Sequence, residues 1–85
     1  MERHLKGVAN HRRIQVLLLI DARPGITLDD LISTTKTNEK TLGEHTRRLV
    51  QAGLVNKQYQ GRFVEHRLSP YGKIFVRFLK SLQEL

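Results

Sequence analysis

The stretch 38–68 constrains the fold most, because a polar helical pattern passes there directly into a short hairpin pattern. Segment 38–52 has apolar residues at helical spacing and polar or basic residues at the other positions. Gly53 ends this helix, since glycine readily takes the left-handed conformation common just after a helix. Residues 55–68 alternate in polarity as two strands do, with Gly61 at the turn. The predicted inner face of the helix is Leu42, His45, Leu49 and Val50.

A first helix is predicted over about 10–22, with Asn10 as its N-cap. Pro24 and Gly25 end it, because proline cannot continue a helix and glycine accepts the turn. Ile26, after this break, either stays in the loop or adds one extended residue pair to a small sheet. The residues expected to face the core are Leu17, Leu18 and Ile20.

A second, shorter helix is predicted over about 28–34. Thr27 followed by Asp30 forms a capping-box pattern, with Asp in place of the usual Glu or Gln. A polar turn follows, and either Thr37 or Asn38 caps the third helix. The inward-facing residues expected on the second helix are Leu28, Leu31 and Ile32.

Ser69 and Pro70 predict the start of a last helix over about 69–85, since a hydroxyl caps it and proline is tolerated at its first position. An apolar stripe at helical spacing follows and exceeds what one thin core needs. We therefore expect a helix-to-helix contact with a second copy, the alternative being that this helix only packs back on the first one. The stripe is Tyr71, Ile74, Phe75, Phe78, Leu79, Leu82 and Leu85, of which the first six are the predicted dimer contacts.

Length and charge narrow the class of protein. The chain has 85 residues, enough for one small domain, 1–85, and its net charge of +7 favours a polyanionic partner, most often nucleic acid. There is no cysteine, which excludes disulfides and thiolate zinc sites and fits a reducing cytosol. The charged N-terminus does not resemble a signal peptide, and the longest apolar run, 16–20, is too short to cross a membrane. We expect a cytoplasmic protein, associated with the nucleoid if the source is a prokaryote.

The order of these elements is that of a winged helix-turn-helix, an α+β and mostly α fold. The sequence TLGEHTRRLVQAGLV resembles the recognition-helix pattern of ArsR- and MarR-type winged-helix regulators, in which Thr-apolar-small-X-His leads to Leu-X-X-X-Gly-Leu-Val. LSPYGKIFVRFL is similar to the Leu-(Ser/Thr)-X-X-Gly opening of their last helix. The resemblance covers about residues 10–82 and implies a recognition helix at about 38–52, a wing at about 54–68 and a C-terminal dimerisation helix at about 69–85.

The resemblance implies that the recognition helix enters the major groove of double-stranded DNA. On this helix Lys40, Arg47 and Arg48 would read guanine or hold phosphate. Asn38 would read adenine, and Thr41 would meet a thymine methyl group.

Glu44 departs from the family pattern, which often has a basic or hydroxyl residue at this point. Its carboxylate repels phosphate unless it accepts a hydrogen bond from cytosine. Gly43 beside it weakens the helix by roughly 1 kcal/mol relative to alanine. On the wing, Lys57 and Arg62 are the predicted DNA contacts, with Arg62 at the tip entering the minor groove or meeting phosphate. The alternative for both is a charged hairpin that only prevents its edge from pairing.

Together these features predict a homodimeric transcription regulator that binds a roughly palindromic double-stranded DNA site. The alternative is a winged-helix module that binds proteins in transcription or other machinery and does not read DNA. Binding of RNA or single strands lacks the aromatic surface it needs, because Tyr59 and Phe63 are the only candidates on the hairpin.

Nothing in the sequence indicates an enzyme, because no phosphate-binding loop, nucleophile motif or acid pair in a plausible cleft is visible. The histidines lack the spacing of metal ligands, and the last helix has no His or Asp. We therefore expect no metal site, no cofactor and no evident small-molecule effector. The histidines considered are His4, His11, His45 and His66.

Overall fold

The computed structural model describes residues 2–83, with side chains for residues 11–82, and folds as a winged helix-turn-helix. This confirms the predicted mostly helical α+β class. Leu85 of the predicted stripe and the side chain of His4 lie outside the described residues. In chain order the elements are α1 (Glu2–Ala22), β1 (Ile26–Thr27), α2 (Leu28–Thr35), α3 (Glu39–Gln51), β2 (Val55–Gln60), β3 (Phe63–Leu68) and α4 (Pro70–Gln83).

Helix α1 begins much earlier than the sequence predicted. It starts at Glu2, so Asn10 lies within the helix, and the prediction that Asn10 is the N-cap was wrong. Residues 2–9 contain no proline and a single glycine, Gly7. One interior glycine costs a helix only about 1 kcal/mol, which leaves the earlier turns free to continue α1.

The hydrophobic core lies where α1, α2, α3, the sheet and α4 meet. From α1, Leu17 and Ile20 are buried as expected, but Val16 joins them and Leu18 is only half-buried. On α3, Val50 was predicted to face inward, but this was wrong. It lies at the rim of the buried stripe and is 36% exposed. The other buried apolar residues are Ile26, Leu31, Leu42, Leu49, Leu54, Val55, Leu68 and Val76.

Two side-chain caps set the starts of α2 and α3. The Thr27 hydroxyl oxygen accepts a hydrogen bond from the Asp30 N–H at 3.2 Å, as the capping pattern predicted. Asn38, one of the two predicted caps, accepts the Thr41 N–H through its Oδ1 at 2.8 Å. Lys36 ends α2 in the left-handed conformation, with φ 56°, and this turns the chain towards α3. Local hydrogen bonds thus fix the starts of α2 and α3, because they pair backbone N–H groups that a helix end leaves without a partner.

The wing belongs to a three-stranded antiparallel sheet in which β3 lies between β1 and β2. Ile26 pairs with His66, so the alternative in which Ile26 adds an extended pair to a small sheet is confirmed. Gly61 and Arg62 form the hairpin turn, and Gly61 has φ 60°, a value that glycine adopts without steric cost. The short strand β1 therefore ties the base of the wing to the helix-turn-helix.

The start of α4 approaches the chain between α3 and β2 very closely. The Leu54 carbonyl accepts the Ser69 N–H at 3.0 Å, and the Ser69 hydroxyl donates to the Gly53 carbonyl at 2.5 Å. The same hydroxyl oxygen accepts the Gly72 N–H at 2.9 Å, which confirms Ser69 as the cap of α4. A Cβ atom on Gly72 would overlap the Leu54 carbonyl oxygen. The Ser-X-X-Gly spacing thus combines a cap with a residue that permits close backbone contact.

Replacing Gly72 by alanine should lower the free energy of unfolding by about 1–3 kcal/mol or more, because the added methyl group meets backbone that side-chain rotation cannot move. Urea denaturation followed by circular dichroism would measure the change. Gly43→Ala is the matched control, because a Cβ atom there meets nothing within 4 Å. It should raise the free energy of unfolding by about 0.5–1 kcal/mol through helix propensity. Equal effects of the two substitutions would contradict the close contact at Leu54.

Candidate nucleic-acid interface

Helix α3 presents a polar and basic side to solvent because its apolar side faces the core. Leu42 and Leu49 are buried, whereas Lys40, Arg47 and Arg48 are exposed. Thr41 is also exposed and Glu44 is partly so. The structure therefore brings the candidate contact residues of α3 onto one continuous surface, with Asn38 at its N-terminal end.

The Asn38 side chain already has a structural task at this end of the surface. Its amide oxygen caps α3 by accepting the Thr41 N–H at 2.8 Å. Bidentate recognition of adenine uses both the oxygen and the nitrogen of an asparagine amide. Contact between Asn38 and adenine would therefore compete with the cap for the amide oxygen.

Glu44 forms a hydrogen-bonded cluster with two arginines in the centre of the surface. Arg47 donates to it through Nε at 2.9 Å and Nη2 at 2.6 Å, and Arg48 donates through Nε at 2.9 Å. The hydrogen bonds from Arg47 and then Arg48 lower the pKa of the Glu44 carboxyl to about 2. The same bond to Glu44 raises the pKa of Arg47. Sequence reasoning treated Glu44 by itself, although its spacing of three and four residues from the arginines is the one that joins helix side chains.

The predicted cations of the wing lie at different distances from its free end, since Lys57 pairs with His66 near the middle of β3. Lys57 and Arg62 are exposed, and Arg62 occupies the turn itself. Arg67 lies nearer the base, where its Nη2 is 3.5 Å from a Glu65 carboxylate oxygen. Arg62 thus extends furthest along the hairpin, while Arg67 has a neighbour of opposite charge.

The two wing aromatics do not form one surface. Tyr59 and Phe63 are 74% and 55% exposed. Tyr59 lies opposite Val64 in the strand register and Gln60 lies opposite Phe63, so the two rings point to opposite faces of the hairpin. A run of stacked bases, as in single-strand recognition, would need both rings on the same face.

Two histidines are buried beneath this interface, where burial favours the neutral imidazole. The His66 Nδ1–H donates to the Ile26 carbonyl at 3.1 Å, while its Nε2 has no hydrogen-bond partner among the described residues. Burial lowers the pKa of His66, and the charge of Lys57 adds to this effect. Burial likewise lowers the pKa of His45, with the nearby Arg13 and Arg12 acting in the same direction.

Within the part of the chain that the structure describes, no three His, Asp or Glu side chains lie close enough together to hold a metal ion. No helix in that same part is both long and apolar enough to cross a bilayer.

A second candidate surface lies on α4, whose predicted apolar stripe divides into two. Phe75 and Leu79 are half-buried and pack against the core. The neighbouring residues point away from it, and Val76 takes the fully buried position on the helix. The outward residues are Tyr71, Ile74, Phe78 and Leu82, which are 58%, 62%, 56% and 49% exposed.

The fold is that of solved bacterial regulators. The crystal structure of MarR matches 92% of this chain with a TM-score of 0.82 and 22% sequence identity, over 61% of that chain. A MarR protein from Peptoclostridium difficile matches 85% of this chain with a TM-score of 0.79 and 20% identity, over 49% of its own length. Streptococcus pneumoniae FabT, solved in complex with DNA, also matches 85% with a TM-score of 0.79, at 16% identity and over 52% of its length.

These similarities confirm the predicted MarR-type winged-helix resemblance at the level of the fold. This chain spans between 49% and 61% of the length of these three solved proteins. No family model matches the sequence, and no curated protein is significantly similar to it.

The stability of the protein should decrease as the pH falls below 6.5, the ordinary pKa of histidine. His45 and His66 have lower pKa values when folded, so the unfolded chain binds protons first on the acid side of 6.5. The two imidazoles contribute fully to the free energy of unfolding above that pH. This contribution is lost as the pH falls from the pKa of the unfolded state through the lower pKa of the folded state. Urea denaturation at pH values on both sides of 6.5 would test this. A free energy of unfolding that stayed constant on the acid side would contradict buried, neutral imidazoles.

Proposed function

We propose that this chain is a transcription regulator, not an enzyme, that binds double-stranded DNA in the cytoplasm as a homodimer. Helix α3 enters the major groove, and the wing contacts the flanking backbone or minor groove. The observation that carries the proposal is the exposed basic surface of α3, which begins at a capped turn after α2 and adjoins a wing with Arg62 in its turn. A bracing helix, a docking helix and a basic hairpin are the parts by which winged helices bind duplexes.

Charge supports a polyanionic partner. The net charge is +7 over 85 residues, and phosphate contacts supply much of the affinity of proteins for DNA. A neighbour in fold, Streptococcus pneumoniae FabT, was solved in complex with DNA. The distribution of charge matters more than the total, because Lys40, Lys57 and Arg62 are all exposed on α3 and the wing.

The position of each cation suggests its role. Residues in the first turns of a recognition helix usually contact base edges, so Lys40 and Thr41 are proposed to lie nearest the bases. Arg47 and Arg48 lie about two turns later and would meet a base or a phosphate. Arg62, in the hairpin turn, would contact the backbone or enter the minor groove.

A second copy is proposed to cover the outward stripe of α4. Leu82, one of the four exposed apolar residues of this stripe, also lines an open groove of about 490 Å³ between α1 and α4. The stripe and the groove thus meet at Leu82, and a two-fold related copy would bury the apolar residues of both. Such a dimer would present two α3 helices to two half-sites of a palindrome. The groove is lined by His11, Ile14, Gln15, Leu18, Leu79 and Leu82.

The alternative, a winged-helix module that binds a protein, is favoured by one observation. Glu44 engages Arg47 and Arg48, which reduces the positive charge in the centre of α3. Fluorescence anisotropy with a labelled random-sequence duplex at low salt separates the two functions. Absence of binding would favour the protein module, whereas binding that an unlabelled single strand cannot displace would favour the regulator.

Lys40→Ala and Arg47→Ala should each weaken duplex binding roughly tenfold, because each removes a cation proposed to face the groove. The wild-type affinity should also fall steeply with salt, since phosphate contacts release counterions. Anisotropy titrations at several salt concentrations would measure both effects. Lys73→Ala, an equal change of charge on α4, is the control and should leave affinity nearly unchanged. Equal losses in all three variants would place the interface elsewhere.

Phe78→Asp should dissociate the dimer, because it places a charge in the centre of the apolar stripe. Phe78 is 56% exposed, so the folded monomer should tolerate the change. Phe63→Asp is the matched control, since Phe63 is 55% exposed but lies on the wing. Sedimentation equilibrium would give the mass of each variant. A wild-type monomer, or a dimer that survives Phe78→Asp, would contradict the proposed contact.

A further inference from the structure

The carboxylate of Glu44 accepts three hydrogen bonds from side chains of its own helix. Its Oε1 accepts from Arg47 Nη2 at 2.6 Å and from Arg48 Nε at 2.9 Å. Its Oε2 accepts from Arg47 Nε at 2.9 Å. Both oxygens therefore accept within α3, and about one of the four acceptor positions of the carboxylate is left for a cytosine.

The two arginines are held in different ways. Arg47 gives Glu44 the edge of its guanidinium formed by Nε and Nη2, a bidentate arrangement that fixes the plane of the group. Its opposite edge, with Nη1 and the second hydrogen of Nη2, stays available. Arg48 is held only through Nε. Arg47 is thus the more strictly oriented of the two, and the available edge is the kind that pairs with the O6 and N7 atoms of guanine.

The cluster also changes the electrostatics of α3. Two guanidinium groups share one carboxylate, so the centre of the helix carries one net positive charge in place of two. The pKa of Glu44, lowered to about 2, keeps it ionised throughout the physiological range. Lys40, Lys57 and Arg62 form no ion pair with a carboxylate among the residues whose side chains are described. Attraction to phosphate is therefore concentrated at the ends of the interface, at Lys40 and on the wing.

We propose that Glu44 is a specificity-determining residue, which withholds Arg47 and Arg48 from phosphates and presents the free edge of Arg47 to a guanine. This inference rests on the proposed function, since it assigns a role within duplex recognition. Phosphate contacts strengthen binding to every sequence equally, whereas base contacts separate one sequence from another. A carboxylate that restrains two central arginines reduces their contacts with phosphates and pre-orients an arginine for contact with a base. Pre-orientation also reduces the side-chain entropy that binding would otherwise remove.

Glu44→Gln tests this role, because it keeps the size of the side chain but removes the charge that holds the arginines. On a random-sequence duplex the variant should bind more tightly than the wild type. The slope of log affinity against log salt should become steeper by about 1–2 units, as the released arginines reach phosphates. Asp29→Asn is the control, since it makes the same change of charge at an exposed position on α2, outside the proposed contacts. It should leave the slope unchanged.

Selection of bound duplexes from a random library supplies the second readout. Wild-type protein and Asp29→Asn should enrich the same sequences, with guanine preferred at the position of Arg47. Glu44→Gln should weaken that preference, and Arg47→Lys should abolish it while keeping the charge, because lysine has no planar fork.

The possible results separate the two proposals. If the wild type binds duplex but Glu44→Gln and Asp29→Asn share one salt slope and one sequence preference, the role of Glu44 is overturned and duplex binding stands. If the wild type binds no duplex at low salt, the proposed function and the role of Glu44 fall together. Thermal melting of each variant would show that the compared proteins are equally folded.

Discussion

The close approach of α4 to the Leu54 carbonyl sets the arrangement of the surfaces that the protein exposes. Leu54 lies between the end of α3 and the start of β2, so its backbone links α3 to the wing. Ser69 bonds to this backbone and to that of Gly53, and Gly72 lets the helix pack directly over it. A residue with a side chain at position 72 would force α4 outward and move the apolar stripe relative to α3.

Sequence reasoning succeeded at most places where the determining interaction is short in sequence, although the cap predicted at Asn10 was wrong. The caps at Thr27, Asn38 and Ser69 and the turn at Gly61 depend on residues within a few positions, and the structure has them as expected. It failed where neighbours distant in sequence decide. Whether Leu18 of α1 or Val50 of α3 is buried depends on the elements packed against it, which helical spacing alone does not reveal.

The candidate interface shows the same division. Spacing predicted which residues of α3 would be exposed, because one face of an amphipathic helix excludes the other. The spacing also indicates that Glu44 can contact Arg47 and Arg48, since residues three and four apart on a helix are neighbours. What spacing could not supply is the sharing of one carboxylate between two guanidinium groups, which depends on how both side chains turn. The outward position of Phe78 and the half-buried position of Phe75 likewise required the packing of α4.

The two-residue strand β1 has a consequence for how the protein would meet a duplex. Ile26 and Thr27 pair with β3, and Thr27 also caps α2, so the wing is joined directly to the helix that precedes α3. The strand pairing and the cap therefore hold the hairpin and α2 at a defined separation. On the proposed duplex, this separation would have to match the distance from the major groove that holds α3 to the backbone that the wing contacts. A DNA segment with a different geometry would have to deform to fit. The sequences preferred would then include those that bend at low cost, at base pairs that no side chain touches.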